Sequence, residues 1–423
     1  MRSREECEQW RLSRGACVNP LTDQIAMDIP HLLGPFLLLP LGILVLVLLS
    51  ESGLRSVLVA LSWSSLPRRK MPWVPSGTLA VVVPAHEEAA AIGDTVTRLR
   101  AETAAGVVFV IADRCTDETA AVARAAGAQV WERHETGTYG KGAALRWFFD
   151  AAAQELDPYS GTAIFDADSK VEEGFFQGAM AALEAGADVV QGFLRPLGGG
   201  SSAADLAAYS EILSQRIDDV ARSRLGWQVP LRGTGMVFRN EVLEALLPQL
   251  QTKVEDVEMS LLLAAQETRV RFVPSVVVGD PKATSTRGIA AQRGRWLQGQ
   301  AEVWRRYWRD IIRLILTGGP SAWSLLCALL LKPKSFVLLL KTALFLCLWI
   351  APLEPSWLNA LLGGVGGCML ALDTAYFVYG LRFVNDRRRY AGALLASPLY
   401  LLAWLWSAGL MLASRDTWLR ARD

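Results

Sequence analysis

Short apolar segments alternate with helix-like segments across residues 77–165, and this pattern most constrains the fold of the chain. The predicted strands are residues 78–83, 106–111, 129–133 and 161–165, and the predicted helices are residues 88–100, 119–126 and 142–154. Strands that alternate with helices at this spacing build βαβ units around a parallel sheet. Ligands of such sheets bind beyond the carboxyl ends of the strands. The sequence therefore predicts an α/β domain with its binding site along one edge of the sheet.

Apolar runs of membrane length flank this domain. Residues 32–49 form the first run, and a spanning helix needs roughly 20 such residues. Three further candidate spans cover residues 335–353, 357–381 and 390–413. Residues 301–316 mix tryptophans with arginines, which is typical of a helix lying in the membrane interface. A hydrophobic content of 52% and a mean hydropathy of +0.25 agree with lipid contact.

The predicted organisation is therefore a soluble domain set between membrane segments. It comprises an N-terminal tail (1–31), a membrane anchor (32–50), the α/β domain (77–300), interfacial amphipathic helices (301–334), three transmembrane helices (335–413) and a C-terminal tail (414–423).

Cations near the apolar runs predict that the α/β domain is cytoplasmic. Arg14 precedes the first run, whereas Arg55 and the cluster 68–70 follow it, and positive charge accumulates on the cytoplasmic side. The loop 382–389 carries four arginines and is predicted to be cytoplasmic as well. With four spans, however, the arginines of the C-terminal tail would lie outside, against the rule that positive charge accumulates on the cytoplasmic side.

Composition excludes several classes of site and partner. The six cysteines include no CxxC pair and only three histidines are present, so a zinc site of the usual His/Cys kind is not expected. Any metal is expected to be a hard cation held by oxygen. A net charge of +1 lacks the basic field that a nucleic-acid-binding protein needs.

Two carboxylates, Asp166 and Asp168, follow the predicted strand 161–165. At this spacing both can face one divalent cation and the phosphates that it bridges. The alternative is an ordinary acidic loop.

Three further positions lie near the same predicted edge. Asp113 closes the second strand and is expected to hydrogen bond a nucleobase. The first strand ends at Pro84, and Glu88 or its neighbour Glu87 could meet a ribose hydroxyl, although both also suit the first turn of a helix. Lys141, between two glycines, offers one cation, but the flanking residues are not those of a P-loop.

Glu255 and Asp256 precede an apolar helix predicted at 261–265. A placed carboxylate can act as the base that takes a proton from an acceptor hydroxyl. The competing interpretation is helix capping, which acidic residues at such positions commonly provide.

Gln292, Arg295 and Trp296 form the sharpest cluster, because their i, i+3, i+4 spacing places them on one helix face. An arginine can grip a departing phosphate with a fork of two donors, and a tryptophan offers a flat platform to a sugar. Membrane anchoring is the alternative, and it fits Arg305 and Trp308 better.

Taken in order, these motifs resemble family-2 membrane glycosyltransferases, the group that includes cellulose, chitin and hyaluronan synthases and ceramide glucosyltransferase. The resemblance covers residues 78–300 and also includes Gly233, Thr234 and Gly235. It implies a GT-A fold, an inverting mechanism, a nucleotide-diphosphate sugar, most often a UDP-sugar, and Mg²⁺ or Mn²⁺.

The resemblance also implies a role for each motif. The donor nucleotide would be bound by Pro84, Glu88, Asp113, Lys141 and Asp166. The metal would be held by Asp168 with Asp166, and Asp256 would be the base. The acceptor and the leaving diphosphate would be held by Gly233, Thr234, Glu255, Gln292, Arg295 and Trp296.

The number of spans departs from that of polymerising synthases, which carry more spans and a gating segment after the tryptophan. Single transfer to a lipid or saccharide acceptor and processive polysaccharide synthesis, alone or as an oligomer, both stay open. A nucleotidyltransferase would not need Asp256 or the cluster at 292–296. A transporter or inert scaffold is disfavoured, because Asp373 is the one acid in a candidate span.

Overall fold

A computed structural model describes residues 20–63, 77–102, 107–135, 140–198, 201–281, 286–331, 334–350 and 356–397. Within the helices, the side chains of residues 20–39 and 286–297 and of a few single positions lie outside the description. The chain divides into two compact units, Met1–Gly53 and Leu54–Asp423. Helix α1 (Pro20–Ser62) crosses that boundary, and every later element belongs to the second unit.

One eight-stranded sheet organises the second unit. Its strands are β1 (Leu79–Ala85), β2 (Val108–Asp113), β3 (Gln129–Arg133), β4 (Gly161–Ile164), β5 (Lys170–Val171), β6 (Val189–Leu197), β7 (Met236–Phe238) and β8 (Val270–Pro281). The spatial order is β3-β2-β1-β4-β7-β6-β8-β5. The first four strands in this order run parallel, β7 is antiparallel to both neighbours, and β6 and β8 are parallel. The predicted parallel sheet is confirmed for the strands that carry the acidic motifs.

Helices cover the sheet and continue beyond it. They are α2 (Ala89–Glu102), α3 (Thr119–Ala125), α4 (Lys141–Ala151), α5 (Ala153–Leu156), α6 (Phe175–Glu184), α7 (Ser202–Leu213), α8 (Val220–Leu225), α9 (Asn240–Leu246), α10 (Glu255–Ala265), α11 (Thr286–Thr317), α12 (Gly319–Leu330), α13 (Lys334–Ile350), α14 (Ser356–Gly380) and α15 (Arg387–Leu395). A π-helical turn, Ser214–Asp219, joins α7 to α8.

Both faces of the sheet are buried, which explains why its strands are apolar runs rather than alternating ones. In β1, Ala80 and Val82 belong to one core cluster with residues of α4, α9 and α10. Their neighbours Val81 and Val83 belong to the opposite cluster with residues of α2 and α6. Side chains of a strand point alternately to its two faces, so one short strand contributes to two cores.

The start of α10 differs from the prediction. Glu255 and Asp256 form its first turn instead of preceding a helix at 261–265. The buried Glu258 carboxylate accepts hydrogen bonds from the backbone N–H groups of Gln251 and Thr252, both at 2.8 Å. Because these bonds pin the loop that enters α10, the helix begins six residues earlier than its apolar pattern indicates.

Two helices among the described residues, Pro40–Ser62 and Asn359–Phe383, are long and apolar enough to cross a membrane. The predicted span 335–353 corresponds to α13, whose apolar part is shorter, Val337–Cys347. The predicted span 390–413 begins within α15, and from residue 398 it lies outside the described residues.

Arg55 is not the exposed flanking cation that the sequence suggests. It lies inside α1, is 6% exposed, and its Nη1 atom is 2.5 Å from Asp373 Oδ1 on α14. Lys341 Nζ on α13 approaches the other carboxylate oxygen of Asp373 at 2.7 Å. Arg55 therefore neutralises the buried Asp373, and its charge does not indicate on which side of a membrane the α/β domain lies.

Helix α11 has two apolar faces. Val303, Tyr307 and Ile311 pack against α10 and α12 in one buried cluster. The other face exposes apolar side chains among arginines: Trp304, Trp308, Ile312, Ile315 and Leu316.

We expect Glu258→Ala to lower the free energy of unfolding by about 3 kcal/mol, because the backbone N–H groups of Gln251 and Thr252 would lose the buried carboxylate that accepts their hydrogen bonds. The Tyr307 hydroxyl, 2.5 Å from Glu258 Oε1, would lose its acceptor as well. Thermal unfolding of the purified protein measures the change. Glu244→Ala, at an exposed position of α9, is the control and should stay within about 0.5 kcal/mol. Equal shifts for the two variants would contradict this role.

Candidate active site

Lys141 connects the segments that carry the predicted site. It is the first residue of α4, and its Nζ atom lies 2.6 Å from Asp166 Oδ1 and 2.5 Å from the Gly233 carbonyl oxygen. Glu255 Oε1 is 3.8 Å away from the same nitrogen. One cation thus contacts the end of β4 and the loop before β7, and it lies near the start of α10.

The loop that carries Asp166 and Asp168 is held by its neighbours. Thr95 Oγ1 donates a 2.8 Å hydrogen bond to the Ala167 carbonyl, and Ser169 Oγ lies 2.7 Å from Thr234 Oγ1. The Asp166 side chain is nevertheless 44% exposed. The backbone is fixed while this carboxylate remains accessible to a ligand.

Residues 231–235 form a loop with two glycines in the left-handed region, Gly233 with φ +85° and Gly235 with φ +63°. A side chain at Gly233 would begin 4.0 Å from Asp256 Oδ2. Thr234, between the glycines, is 1% exposed, and its Oγ1 accepts a 3.1 Å hydrogen bond from the Asp166 backbone N–H. The loop therefore meets both acidic motifs.

Glycine permits the starts of α4 and α10 to approach. A Cβ atom at Gly142 would lie 3.3 Å from the Glu255 Cβ. Two helix N-termini and one ammonium group consequently lie close together, and helix N-termini favour anionic ligands.

Burial raises the pKa of the Glu255 carboxyl to about 7, with Lys141 opposing the shift and Asp256 and Asp166 adding to it. Burial disfavours the charged form of Lys141, yet the acids around it raise the pKa of its ammonium above the ordinary value. Lys141 therefore keeps its charge, and the pKa of the Glu255 carboxyl lies near neutral pH.

Asp113, at the end of β2, is 5% exposed. Its Oδ1 accepts a 3.0 Å hydrogen bond from Arg133 Nη1, and Arg114 reaches both carboxylate oxygens, each at 3.0 Å. The two arginines were missed by sequence reasoning. The sequence offers little to find them by: Arg133 is the last residue of β3, and Arg114 directly follows Asp113.

Glu87 and Glu88, the two acids that follow β1, make different contacts. Glu87 Oε1 accepts hydrogen bonds from the Thr116 backbone N–H at 2.7 Å and from its hydroxyl at 2.8 Å. Glu88 directly precedes α2, and its backbone N–H donates to Thr119 Oγ1 at 2.8 Å. Pro84 pairs in register with Ile111 near the end of β1.

Asp117 lies at the start of α3, and its Oδ1 accepts a 3.0 Å hydrogen bond from the Thr119 backbone N–H. Although burial raises its pKa, hydrogen bonds from Thr119 and Ala89 hold the pKa of Asp117 below the ordinary value. Asp117 therefore serves as an acid just before the start of α3.

Gln292, Arg295 and Trp296 lie in the first half of α11, and their side chains lie outside the described residues. Gly299 of the same helix packs closely against Val254: a Cβ atom at this position would lie 2.3 Å from Val254 Cγ1. Since Val254 precedes Glu255, α11 contacts the start of α10 within one turn of the predicted cluster.

Among the described side chains, no three or more acids, cysteines or histidines converge to hold a metal ion alone. Asp166 and Asp168 offer two carboxylates. This donor set fits Mg²⁺ or Mn²⁺, which commonly take one or two protein carboxylates and complete their shell with substrate phosphates and water.

Residues 75–299 match the family described as Glycosyltransferase like family 2, and this match spans more than half of the chain. The chain belongs to this family and is a glycosyltransferase. Its mostly parallel sheet between helices is the GT-A α/β fold of such enzymes.

Two solved structures illustrate what the chain resembles. A mannosyltransferase from Pyrobaculum calidifontis, in complex with GDP-Man and Mn²⁺, is 19% identical with a TM-score of 0.49, over 84% of this chain and 98% of that one. Glucosyl-3-phosphoglycerate synthase from Mycobacterium tuberculosis, in complex with Mn²⁺, UDP-Glc and phosphoglyceric acid, is 20% identical with a TM-score of 0.39, over 55% and 88%. No curated protein sequence matches the chain.

We expect the melting temperature of the wild type to fall relative to that of Glu255→Gln as pH rises from about 5 to about 8. The folded state keeps a proton on Glu255 between the ordinary pKa of 4.5 and about 7, so raising pH through this window removes stability from the wild type alone. Thermal scans without added metal or nucleotide test this, with exposed Glu155→Gln as control. A gap between wild type and Glu255→Gln that is independent of pH would refute the buried titration.

Proposed function

We propose that this protein is an inverting, metal-dependent glycosyltransferase. It moves a sugar from a nucleotide-diphosphate sugar, with UDP-sugars the expected kind, to a lipid or saccharide acceptor at the cytoplasmic membrane face. One observation carries the proposal: Lys141 contacts Asp166 and Gly233 and lies near Glu255, so chain segments remote in sequence meet at the carboxyl edge of the sheet.

On the donor side, Asp113 and the Pro84–Glu88 segment would bind the nucleoside, and Lys141 with Asp166 would bind the diphosphate. Asp168 and Asp166 would hold Mg²⁺ or Mn²⁺, which when bound neutralises the charge of the leaving diphosphate. The exposed carboxylate of Asp166 and the nearby helix N-termini support this division.

On the acceptor side, Asp256 would be the base. In an inverting displacement the acceptor oxygen bonds to the anomeric carbon as the bond to the diphosphate breaks, and the hydroxyl proton passes to a carboxylate. Asp256 is half-buried beside Gly233, whereas Glu255 is 8% exposed and lies against Gly142. Asp256 thus suits a proton acceptor, and Glu255, Gly233 and Thr234 would shape the pocket.

Helical spacing supports a place for the remaining motif. In the sequence, Gln292, Arg295, Trp296 and Gly299 recur at i, i+3, i+4 and i+7, a spacing typical of one helix face. At Gly299, α11 meets Val254, which directly precedes Glu255 and Asp256. The cluster would hold the leaving diphosphate and the acceptor.

Two features support a membrane location. Two described helices have the length and composition of spans, and the exposed face of α11 mixes tryptophans with arginines. Such a face suits the headgroup region of a bilayer. The domain organisation set out above, with several spans and interfacial helices at 301–334, belongs to this proposal.

Processive polysaccharide synthesis is the alternative within the family, and product length in membranes separates it from single transfer. An inert scaffold or a transporter is the alternative from another class. Asp373 pairs with Arg55 and Lys341, so the acid that a transport pathway would use is occupied in helix packing.

Incubation of membranes containing the protein with a panel of radiolabelled nucleotide sugars, followed by mass identification of the product, tests the function. Asp256→Asn should retain nucleotide binding and lose at least about 100-fold in transfer rate, in line with the loss of a general base. Exposed Asp150→Asn should retain the rate. Undiminished turnover in Asp256→Asn would remove the base assignment, and failure of the wild type with every donor would remove the function.

Asp168→Ala should weaken Mn²⁺-dependent nucleotide binding about 10-fold or more, since one of two protein ligands is lost. Calorimetric titration of the nucleotide at several Mn²⁺ concentrations measures this. The exposed Asp157→Ala is the matched control. A titration identical to that of the wild type would exclude Asp168 from the metal site.

A further inference from the structure

The π-helical turn Ser214–Asp219 carries two neighbouring buried acids with different partners. Asp218 is 5% exposed and Asp219 is fully buried. Turns of this kind are rare and occur frequently at functional sites. Gln215 anchors the turn to the sheet, because its side chain binds both the N–H and the carbonyl of Leu194 in β6, at 2.7 and 2.8 Å.

Asp219 faces the loop 231–235. It accepts a 2.8 Å hydrogen bond from Arg222 Nη1 and a second hydrogen bond from Arg232 Nη2. The Arg232 side chain is 8% exposed and also lies 3.8 Å from Glu211. Its guanidinium therefore bridges two acids on the helical segment behind the loop.

Arg232 directly precedes Gly233, the residue that binds Lys141 and lies beside Asp256. The backbone around it is held by Gln191, which accepts from the Arg232 N–H at 2.9 Å and donates to the Thr234 carbonyl at 3.1 Å. A displacement of Arg232 would consequently move the groups that face the proposed base.

Asp218 faces the apolar helices. Lys334 Nζ, at the start of α13, is 2.7 Å from Asp218 Oδ2, and the Tyr376 hydroxyl of α14 is 3.3 Å from the same oxygen. The Arg55 guanidinium lies over the Tyr376 ring at 4.8 Å. One short turn thus attaches the loop of the site to α13 and α14.

Stability alone is a weak reason for such a network. Charges taken out of water pay a desolvation cost that their attraction often only balances, and apolar replacements can be as stable. A specific geometry is a better explanation, since paired charges hold two segments in one relative position.

We propose that Asp219 and Arg232 are positioning residues for glycosyl transfer, and that Asp218 with Lys334 ties the same π turn to α13 and α14. The inference rests on the proposed function. Through Arg232 the turn sets Gly233 opposite Asp256, and through Asp218 it sets that loop relative to the helices expected to meet the lipid. The acceptor side of the site is thereby aligned to the apolar helices.

Arg232→Lys in the full chain is the first test. Lysine keeps the charge but cannot reproduce the fork that bridges Asp219 and Glu211. Misplacement of a reacting group by about 1 Å can cost about 100-fold in rate. We expect kcat for transfer to fall about 10- to 100-fold, while nucleotide KM and donor hydrolysis change less than about 3-fold.

Asp219→Asn and Lys334→Met test the two sides of the turn, and both should lower kcat for transfer with nucleotide binding retained. Asp205→Asn is the matched control: Asp205 on α7 binds Arg389 on α15 through both carboxylate oxygens, so it also joins the sheet domain to a late helix. It has no attachment to the loop 231–235 in the described contacts, and kcat should stay within about 3-fold of the wild type.

Nucleotide binding and melting temperature, measured on every variant, separate positioning from misfolding. If Arg232→Lys and Asp205→Asn lose transfer equally, or if the loss follows melting temperature alone, the positioning role is wrong. If the wild type transfers no sugar from any donor, the proposed function fails instead. Normal transfer in Lys334→Met, with a loss in Arg232→Lys, would overturn the link to α13.

Discussion

The site depends on the contacts that the Lys141 ammonium group makes with the acids and the carbonyl around it. This group lies among carboxylates from different segments, and it binds Asp166 and the Gly233 carbonyl directly. Without this cation, Asp166, Glu255 and Asp256 would repel one another in a region where burial already raises the pKa of Glu255. Their charges would then oppose the folded arrangement that brings them together.

The acids of the site lie close together but differ in burial and in charge state. Glu255 is buried beside the helix start and favours its neutral form, whereas Asp166 remains exposed. Glu258, three residues further along α10, shows the alternative use of an acid, since it holds the loop before the helix and the Tyr307 hydroxyl. Environment, rather than residue type, separates structural acids from those available to a ligand.

Much of the fold could be predicted because the signals are local. The periods of strands and helices in residues 77–165 arise from neighbouring side chains, and the predicted strands there match β1 to β4 within a few residues. Asp113 and Asp166 were placed at strand ends for the same reason. The start of α10 was misplaced, because it depends on hydrogen bonds from Glu258 to a loop and not on apolar spacing.

By itself, the sequence determined that strands and helices alternate, which acids end the strands, and that apolar helices accompany them. Only the tertiary structure decided the partners: Lys141 with Gly233, 92 residues apart, and Arg55 with Asp373, 318 residues apart. It also decided that Arg133 binds Asp113 and that Arg232 binds Asp219. Periodicity records which face of an element is apolar, whereas the pairing of charges depends on which faces pack together, and that is a property of the whole chain.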